Sequence, residues 1–210
     1  MRFGAGGDVL GVAGLQRVAV EQAGEIDVLI SNAGVIFTAA VEASPTAEIE
    51  RVLALNTVGA IRVAQAVLPQ MRRRRKGRLL FVSSVAGRTV SPGRATYSAS
   101  KWALEAFGEA LALEVGGFGI DVCLAEPGAV DSGALDDVLT YTLPDDPYSA
   151  VIASGPLPKE RMITPEDVAV ALANLVDEPT VPLRVPVGSM AEKVIATRNS
   201  APYDKPFRPY

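Results

Sequence analysis

Three short, mainly apolar stretches punctuate the chain: Ile26 to Ile30, Arg78 to Val82, and Ile120 to Ala125. Their apolar residues are consecutive and do not alternate with polar ones. That is the pattern of strands covered on both faces in a parallel sheet. Between them the period changes. From Ala47 to Met71 the stripe Ile61, Ala64, Leu68, Met71 advances in steps of three and four, and from Ala95 to Val115 the stripe Ala99, Ala103, Ala106, Ala110, Leu113 does the same. Two long helices are predicted, and strand, helix, strand, helix, strand is the order of a parallel α/β sheet with right-handed crossovers. The second helix carries a further apolar stripe, Leu104, Phe107, Leu111 and Val115. One stripe packs on the sheet; the other needs its own cover, either a partner subunit or an internal neighbour.

After Gly128 the texture changes. Residues 129–165 hold Pro144, Pro147, Pro156, Pro158 and Pro165 among aromatic and aliphatic residues, and read as a loop-rich insertion or lid. Thr164 as N-cap, Pro165 at the first helical position and Glu166-Asp167 in the first turn predict a short helix running to about Asp177. Arg184-Val185-Pro186-Val187-Gly188 reads as a last strand, and Pro186 suits an edge because it cannot donate to a ladder. The tail 201–210, with Pro202, Pro206 and Pro209, is expected to be irregular.

Composition narrows the chemistry more than the fold. The 210 residues are 49% hydrophobic and 21% charged, which suits one globular domain. Twenty Lys and Arg against 24 Asp and Glu give a net charge of −4, so nothing electrostatic calls for nucleic acid or an anionic membrane. The cations Arg72 to Lys76 follow a helix and read as a solvated C-terminus favoured by the macrodipole, in preference to a nucleic-acid patch. Histidine is absent and Cys123 is the single cysteine. Catalytic Ser-His-Asp or Cys-His sets, His-bearing zinc sites and multi-Cys metal sites are thereby excluded, and no metal centre is expected. No apolar run approaches ~18 residues, so no membrane span is read. The first residues lack a signal-peptide core, and a cytoplasmic location is expected.

Each predicted strand ends in small or polar residues: Ser31-Asn32-Ala33-Gly34, Ser83-Ser84, and Glu126-Pro127-Gly128. In open α/β sheets ligands bind outside the carboxyl ends of the strands, so these endings form a ligand-facing edge. Tyr97 and Lys101 stand one turn apart at the head of the second helix. An ammonium beside a phenol favours the phenolate and makes Tyr97 a proton donor and acceptor usable near neutral pH. The loop from Ser84 to Tyr97 contains Gly87, Pro92 and Gly93 and can return the Ser84 hydroxyl to the phenol.

Asn32-Ala33-Gly34, Asn56, Ser84, the Tyr97-x-x-x-Lys101 pair and Pro127-Gly128, in this order and spacing, resemble the short-chain dehydrogenase/reductase family from about Asp8 to Gly188. The resemblance implies a doubly wound, Rossmann-like parallel sheet and an NAD- or NADP-dependent oxidoreductase interconverting an alcohol and a carbonyl. It implies Tyr97 as acid/base, Ser84 (in preference to Ser83) holding the substrate oxygen, and Lys101 lowering the Tyr97 pKa and bonding the nicotinamide ribose. Asn56 would hold a water relaying protons from Lys101. Asn32, Ala33, Gly34, Pro127, Gly128, Val130 and Ser132 would line the cofactor, with Asp8 near the adenine ring. Val35, Val85, Val90 and the lid are expected to make a largely apolar substrate pocket. The ending at Arg184 to Gly188 resembles hydroxysteroid- and retinol-dehydrogenase-like members. A homodimer or homotetramer through the two long helices is expected.

The start departs from that pattern. Gly7-x-x-x-Gly11 imitates part of a Gly-rich phosphate turn, but Ala13 stands in place of its last Gly and no strand fits before it. By comparison with a βαβαβ half, on the order of 50–60 residues are missing. The expectation is a partial chain or mis-assigned start, with Ile26 to Ile30 as a bare sheet edge. The alternative is a truncated, non-catalytic remnant that binds a partner through its helix faces.

Overall fold

In the computed structural model, residues 24–133, 138–152, 161–202 and 204–207 are described. Four parallel strands, β1 (Val28–Ser31), β3 (Gly77–Val82), β4 (Ile120–Pro127) and β6 (Arg184–Val187), form one sheet in the order β1-β3-β4-β6. A second, two-stranded sheet joins β2 (Thr38–Ala39) to β5 (Thr140–Tyr141) and fastens part of the insertion beside the loop after β1. The helices are α1 (Thr46–Leu53), α2 (Ala60–Arg74), α3 (Ala95–Val115), the single turn α4 (Ser149–Ile152), α5 (Pro165–Asp177) and α6 (Ser189–Ser200).

The two central strands are covered on both sides, as their unbroken apolar pattern requires. Leu79, Phe81, Val122 and Leu124 face Ala64, Val67 and Met71 of α2 and Leu104, Leu111 and Val115 of α3. Leu80, Val82, Cys123 and Ala125 face Leu172 and Leu175 of α5. α3 lies close against β4 because Gly108 has no side chain: a Cβ there would stand 2.9 Å from both methyls of the buried Leu124. Arg78 ties the other layer down, donating to the carbonyls of Leu175, Val176 and Glu178 at the end of α5 and to Asp121 at 2.7 Å. The capping box of α5 forms with Thr164 Oγ1 accepting from the Asp167 amide and Asp167 accepting from the Thr164 amide.

Several expectations shift. β1 begins at Val28, because the Ile26 amide donates to the Gln70 side chain and the Ile26 carbonyl accepts from Arg74. It lies at a sheet edge among the described residues, with Ile30 44% exposed. The Leu104, Phe107, Leu111, Val115 stripe is the one that packs on the sheet, while Ala99, Ala103, Ala106, Ala110 and Leu113 face outward. α1 and α2 run on through a π-helical turn, Ala54–Gly59. The resulting helix, Thr46–Arg74, is long and apolar enough to cross a membrane by length and composition, which a run-length reading overlooks. Here its buried residues Ala60, Ala64, Val67 and Met71 join the sheet core. The basic run is more than a solvated end: Arg74 pairs with Glu25 and Asp27, and Arg75 donates to the Gly117 carbonyl. α6 was not predicted; its buried residues Ala191, Val194 and Ile195 span about one turn and its N-cap is Gly188.

Packing at Gly108 sets the first expectation. Gly108→Val should destabilise the fold by about 1–3 kcal/mol in chemical denaturation, because the added methyls must displace Leu124. Unchanged stability would show that α3 has room to retreat.

Candidate active site

The carboxyl ends of β1, β3 and β4 open into a cavity of about 610 Å³. The wall takes Asn32 and Gly34 from the loop after β1, Ser84 from the tip of β3, Tyr97 and Lys101 from α3, and Pro127, Gly128, Val130 and Ser132 from beyond β4. Of the expected lining residues, Ala33 is exposed and outside this wall, and Asp8 lies outside the described residues. Val35 and Val85 line the cavity, but Val90 is 47% exposed and does not, so its assignment to the pocket is corrected. Val138 and Leu139 of the insertion and Met190 and Val194 of α6 complete the apolar part.

Local backbone chemistry delivers these groups. Ser84 sits in extended conformation before a single 3₁₀ turn, Val85–Gly87, and its Oγ accepts from the Ala86 amide at 3.1 Å. That turn directs its hydroxyl toward the Tyr97 phenol, which Ser84 holds below the pKa that burial alone would set. Ser83 points elsewhere: its Oγ is buried without a partner, and a Cβ on Gly87 would lie 2.9 Å from both it and Glu105 Cγ. Lys101 is buried and its Nζ donates to the Val82 carbonyl at 2.9 Å, so α3 is fixed to the tip of β3. Asn56 stands in the π-helical turn. Its Oδ1 accepts from the Val35 amide, and its Nδ2 donates to the Val35 carbonyl and to Ser100 Oγ. The loop carrying Asn32 and Gly34 is thereby pinned. A Cβ on Gly34 would stand 3.3 Å from Asn56 Oδ1 and 3.6 Å from Lys101 Nζ, so glycine keeps open a gap that both groups face.

Electrostatics correct one expectation. Burial pushes the Tyr97 pKa up from its ordinary value, against a hydrogen bond from Ser84 and the charge of Arg94. Burial also lowers Lys101 to about 8, against the attraction of Glu105. Desolvation outweighs the charges here, and Arg94, not Lys101, is the cation that pulls the phenol down. Arg94 was overlooked in the sequence; its signal was an Arg three residues before Tyr97, on the same helical face. Beneath Lys101, Glu105 is held by Arg184 at 2.8 Å, and the buried Glu126 lies 3.4 Å from Arg88.

Comparison with known proteins identifies the family and the fold. The family model described as short chain dehydrogenase matches residues 11–140. A 3-ketodihydrosphingosine reductase of Bacteroides thetaiotaomicron is 35% identical over 194 residues, 88% of this chain and 72% of that protein. Retinol dehydrogenase 8 of Bos taurus is 34% identical over 193 residues, 86% of this chain, and the chain spans 62% of its length. Among solved structures, a short-chain dehydrogenase from Streptomyces avermitilis superposes with a TM-score of 0.80 at 29% identity, covering 91% of this chain and 71% of the other. An NAD+-bound xylitol dehydrogenase gives 0.68 at 28% identity, covering 85% and 74%.

Glu126 gives the site a pH signature. Burial first, then Glu105, raise its pKa from the ordinary 4.5 to about 7. A carboxyl raised on folding favours the folded state while protonated, and that advantage is lost as pH climbs through 7. Glu126→Gln should therefore gain stability relative to the parent between pH 5 and pH 8, by about 1 kcal/mol or more. Denaturant titrations at both pH values check this, and a pH-independent difference would contradict it.

Proposed function

Because the chain belongs to the short-chain dehydrogenase/reductase family, we propose that it interconverts an alcohol and a carbonyl compound with NAD or NADP, using Tyr97 as the proton donor and acceptor. One observation carries this reading: Ser84, Tyr97 and Lys101 converge from a strand tip and a helix on one wall of a single cavity. The residues present fit a nicotinamide dinucleotide. Gly34 leaves open wall, Gly128 lets the Met190 side chain pack close, Asn32 and Ser132 offer polar contacts, and Pro127 and Val130 offer apolar ones. When bound, the dinucleotide supplies the hydride for reduction or accepts it in oxidation.

The rest of the step belongs to this chain. Ser84 holds the substrate oxygen beside Tyr97. In reduction, Tyr97 gives its proton to that oxygen as the carbon receives the hydride, leaving an alcohol and a phenolate. The phenolate is stabilised by the Ser84 hydroxyl and the Arg94 guanidinium. Asn56 Oδ1 and Lys101 Nζ face one gap, which supports a proton relay between Lys101 and solvent. The apolar wall of Val35, Ile36, Val85, Val138 and Leu139 favours a largely apolar substrate. The names of the two curated relatives, a 3-ketodihydrosphingosine reductase and a retinol dehydrogenase, support the same preference. A second copy of the chain is the proposed cover for the outward face of α3, where Leu113 is 84% and Trp102 43% exposed.

Turnover with a panel of apolar ketones and alcohols, followed by nicotinamide absorbance, tests the reading. Tyr97→Phe should lower turnover by about 10²–10⁴-fold with the fold intact. A folded chain that binds neither dinucleotide would instead favour a non-catalytic binding protein. The amine at Lys101 is charged below about pH 8 and neutral above it. Reduction should therefore weaken as pH rises through about 8, and Lys101→Met should remove that inflection. An inflection that survives the substitution belongs to another group.

A further inference from the structure

Arg94 remains once Ser84, Tyr97 and Lys101 have their roles. It immediately precedes α3, and its side chain forms part of the cavity wall. Its Nη1 is buried and makes no hydrogen bond. Burying an unpartnered guanidinium nitrogen is unfavourable, and more so for a charged donor than a neutral one. Burial accordingly lowers the Arg94 pKa, and Tyr97 alone opposes it. Nothing else among the described residues supplies a counter-charge. Among the described residues the cavity wall contains three cations, Arg51, Arg94 and Lys101, and no Asp or Glu. Arg51 is already held by Glu48 at 2.7 Å, and Lys101 donates to the Val82 carbonyl and is attracted by Glu105. Arg94 is thus a cation on the cavity wall beside Tyr97, with no ion pair among the described residues.

We propose that Arg94 receives a carboxylate of the substrate, so that the compounds turned over are oxo acids and hydroxy acids on an apolar skeleton. This rests on the oxidoreductase reading and deepens it by naming the substrate class. A carboxylate matches the planar guanidinium and neutralises its charge, which a neutral carbonyl or hydroxyl would not do. A phosphate dianion would draw on a second free cation, and Arg51 is occupied. The apolar residues Val35, Ile36, Val138 and Leu139 remain to take the carbon chain.

The test compares 3-oxobutanoate, 4-oxopentanoate and 5-oxohexanoate with their methyl esters, which keep the ketone and remove the charge. Calorimetric titration of the protein, with and without NAD+ or NADP+, reads binding independently of turnover. At least one acid should bind about tenfold or more tightly than its ester. Arg94→Gln should bring the acid-to-ester ratio close to one, and Arg94→Lys should restore part of it. If the Gln variant does not fold, the Lys variant and the salt dependence of the parent decide: added salt should weaken the acids and spare the esters. An acid-to-ester ratio near one in the parent, failure of every acid to bind, or a ratio unmoved in Arg94→Gln overturns the proposal. Turnover separates the two readings. Acids bound through Arg94 but never reduced would leave this inference standing and sink the oxidoreductase reading. Esters and acids reduced equally well by parent and Arg94→Gln would do the reverse.

Discussion

The hydrogen bond from the buried Lys101 ammonium to the Val82 carbonyl is the contact on which the site is built. It joins α3 to the tip of β3, and everything chemical hangs from that joint. One turn before Lys101 on the same helix stands Tyr97; two residues beyond Val82, just past the end of β3, stands Ser84. A buried ammonium is tolerated only when its charge and donors are met. Val82 meets one donor, and Glu105, one turn further along α3, meets part of the charge. Glu105 is in turn held by Arg184 from β6, which also reaches Glu109 at 2.6 Å. Residues 97, 101, 105 and 109 thus form an i, i+4 ladder whose foot is anchored on the far edge of the sheet.

The same ladder explains why spacing alone misjudges the phenol. Position i to i+4 places an amine one turn from Tyr97, and from that geometry a depressed pKa follows. What spacing cannot register is that both groups are taken out of water, a cost that falls on each charged form separately. Burial lowers the amine and raises the phenol, so each is pushed toward its neutral form.

Signals fixed by neighbours along the chain were readable, and those fixed by neighbours in space were not. α3 was predicted at Ala95 to Val115 and α5 from the Thr164-Pro165 start to about Asp177, and both are found there, because caps and periodicity are local. The strand β3 follows from its apolar run, and the edge position of β6 from Pro186. Which of two apolar stripes on α3 turns inward was not decided by periodicity. Size decides it: the stripe of Leu and Phe fills the space over Phe81 and Leu124, and the Ala stripe would leave it empty. Val90 looks like a pocket residue by composition but points outward after the 3₁₀ turn. Arg94 left only a spacing signal, three residues before Tyr97; its distinction is a missing partner among the described residues, and no sequence records that.

The charge of the molecule and the charge of its cavity have opposite signs. The chain carries −4 overall, while the cavity wall among the described residues bears only cations. Long-range attraction cannot be what brings an anion in, since the global field opposes it and salt screens it beyond about 8–10 Å. Any selectivity for a developing or permanent negative charge must be exerted at contact range, inside apolar walls where the local dielectric is low. Such a site discriminates by what remains bound more than by what arrives. Its energetics then depend on how completely the apolar wall closes around the charge. Val138 and Leu139 belong to that wall, and they come from the insertion that β5 fastens beside β2. The small second sheet, remote from the chemistry in sequence, is therefore part of the electrostatics: loosening the β2–β5 pair would admit water and weaken every charge interaction inside.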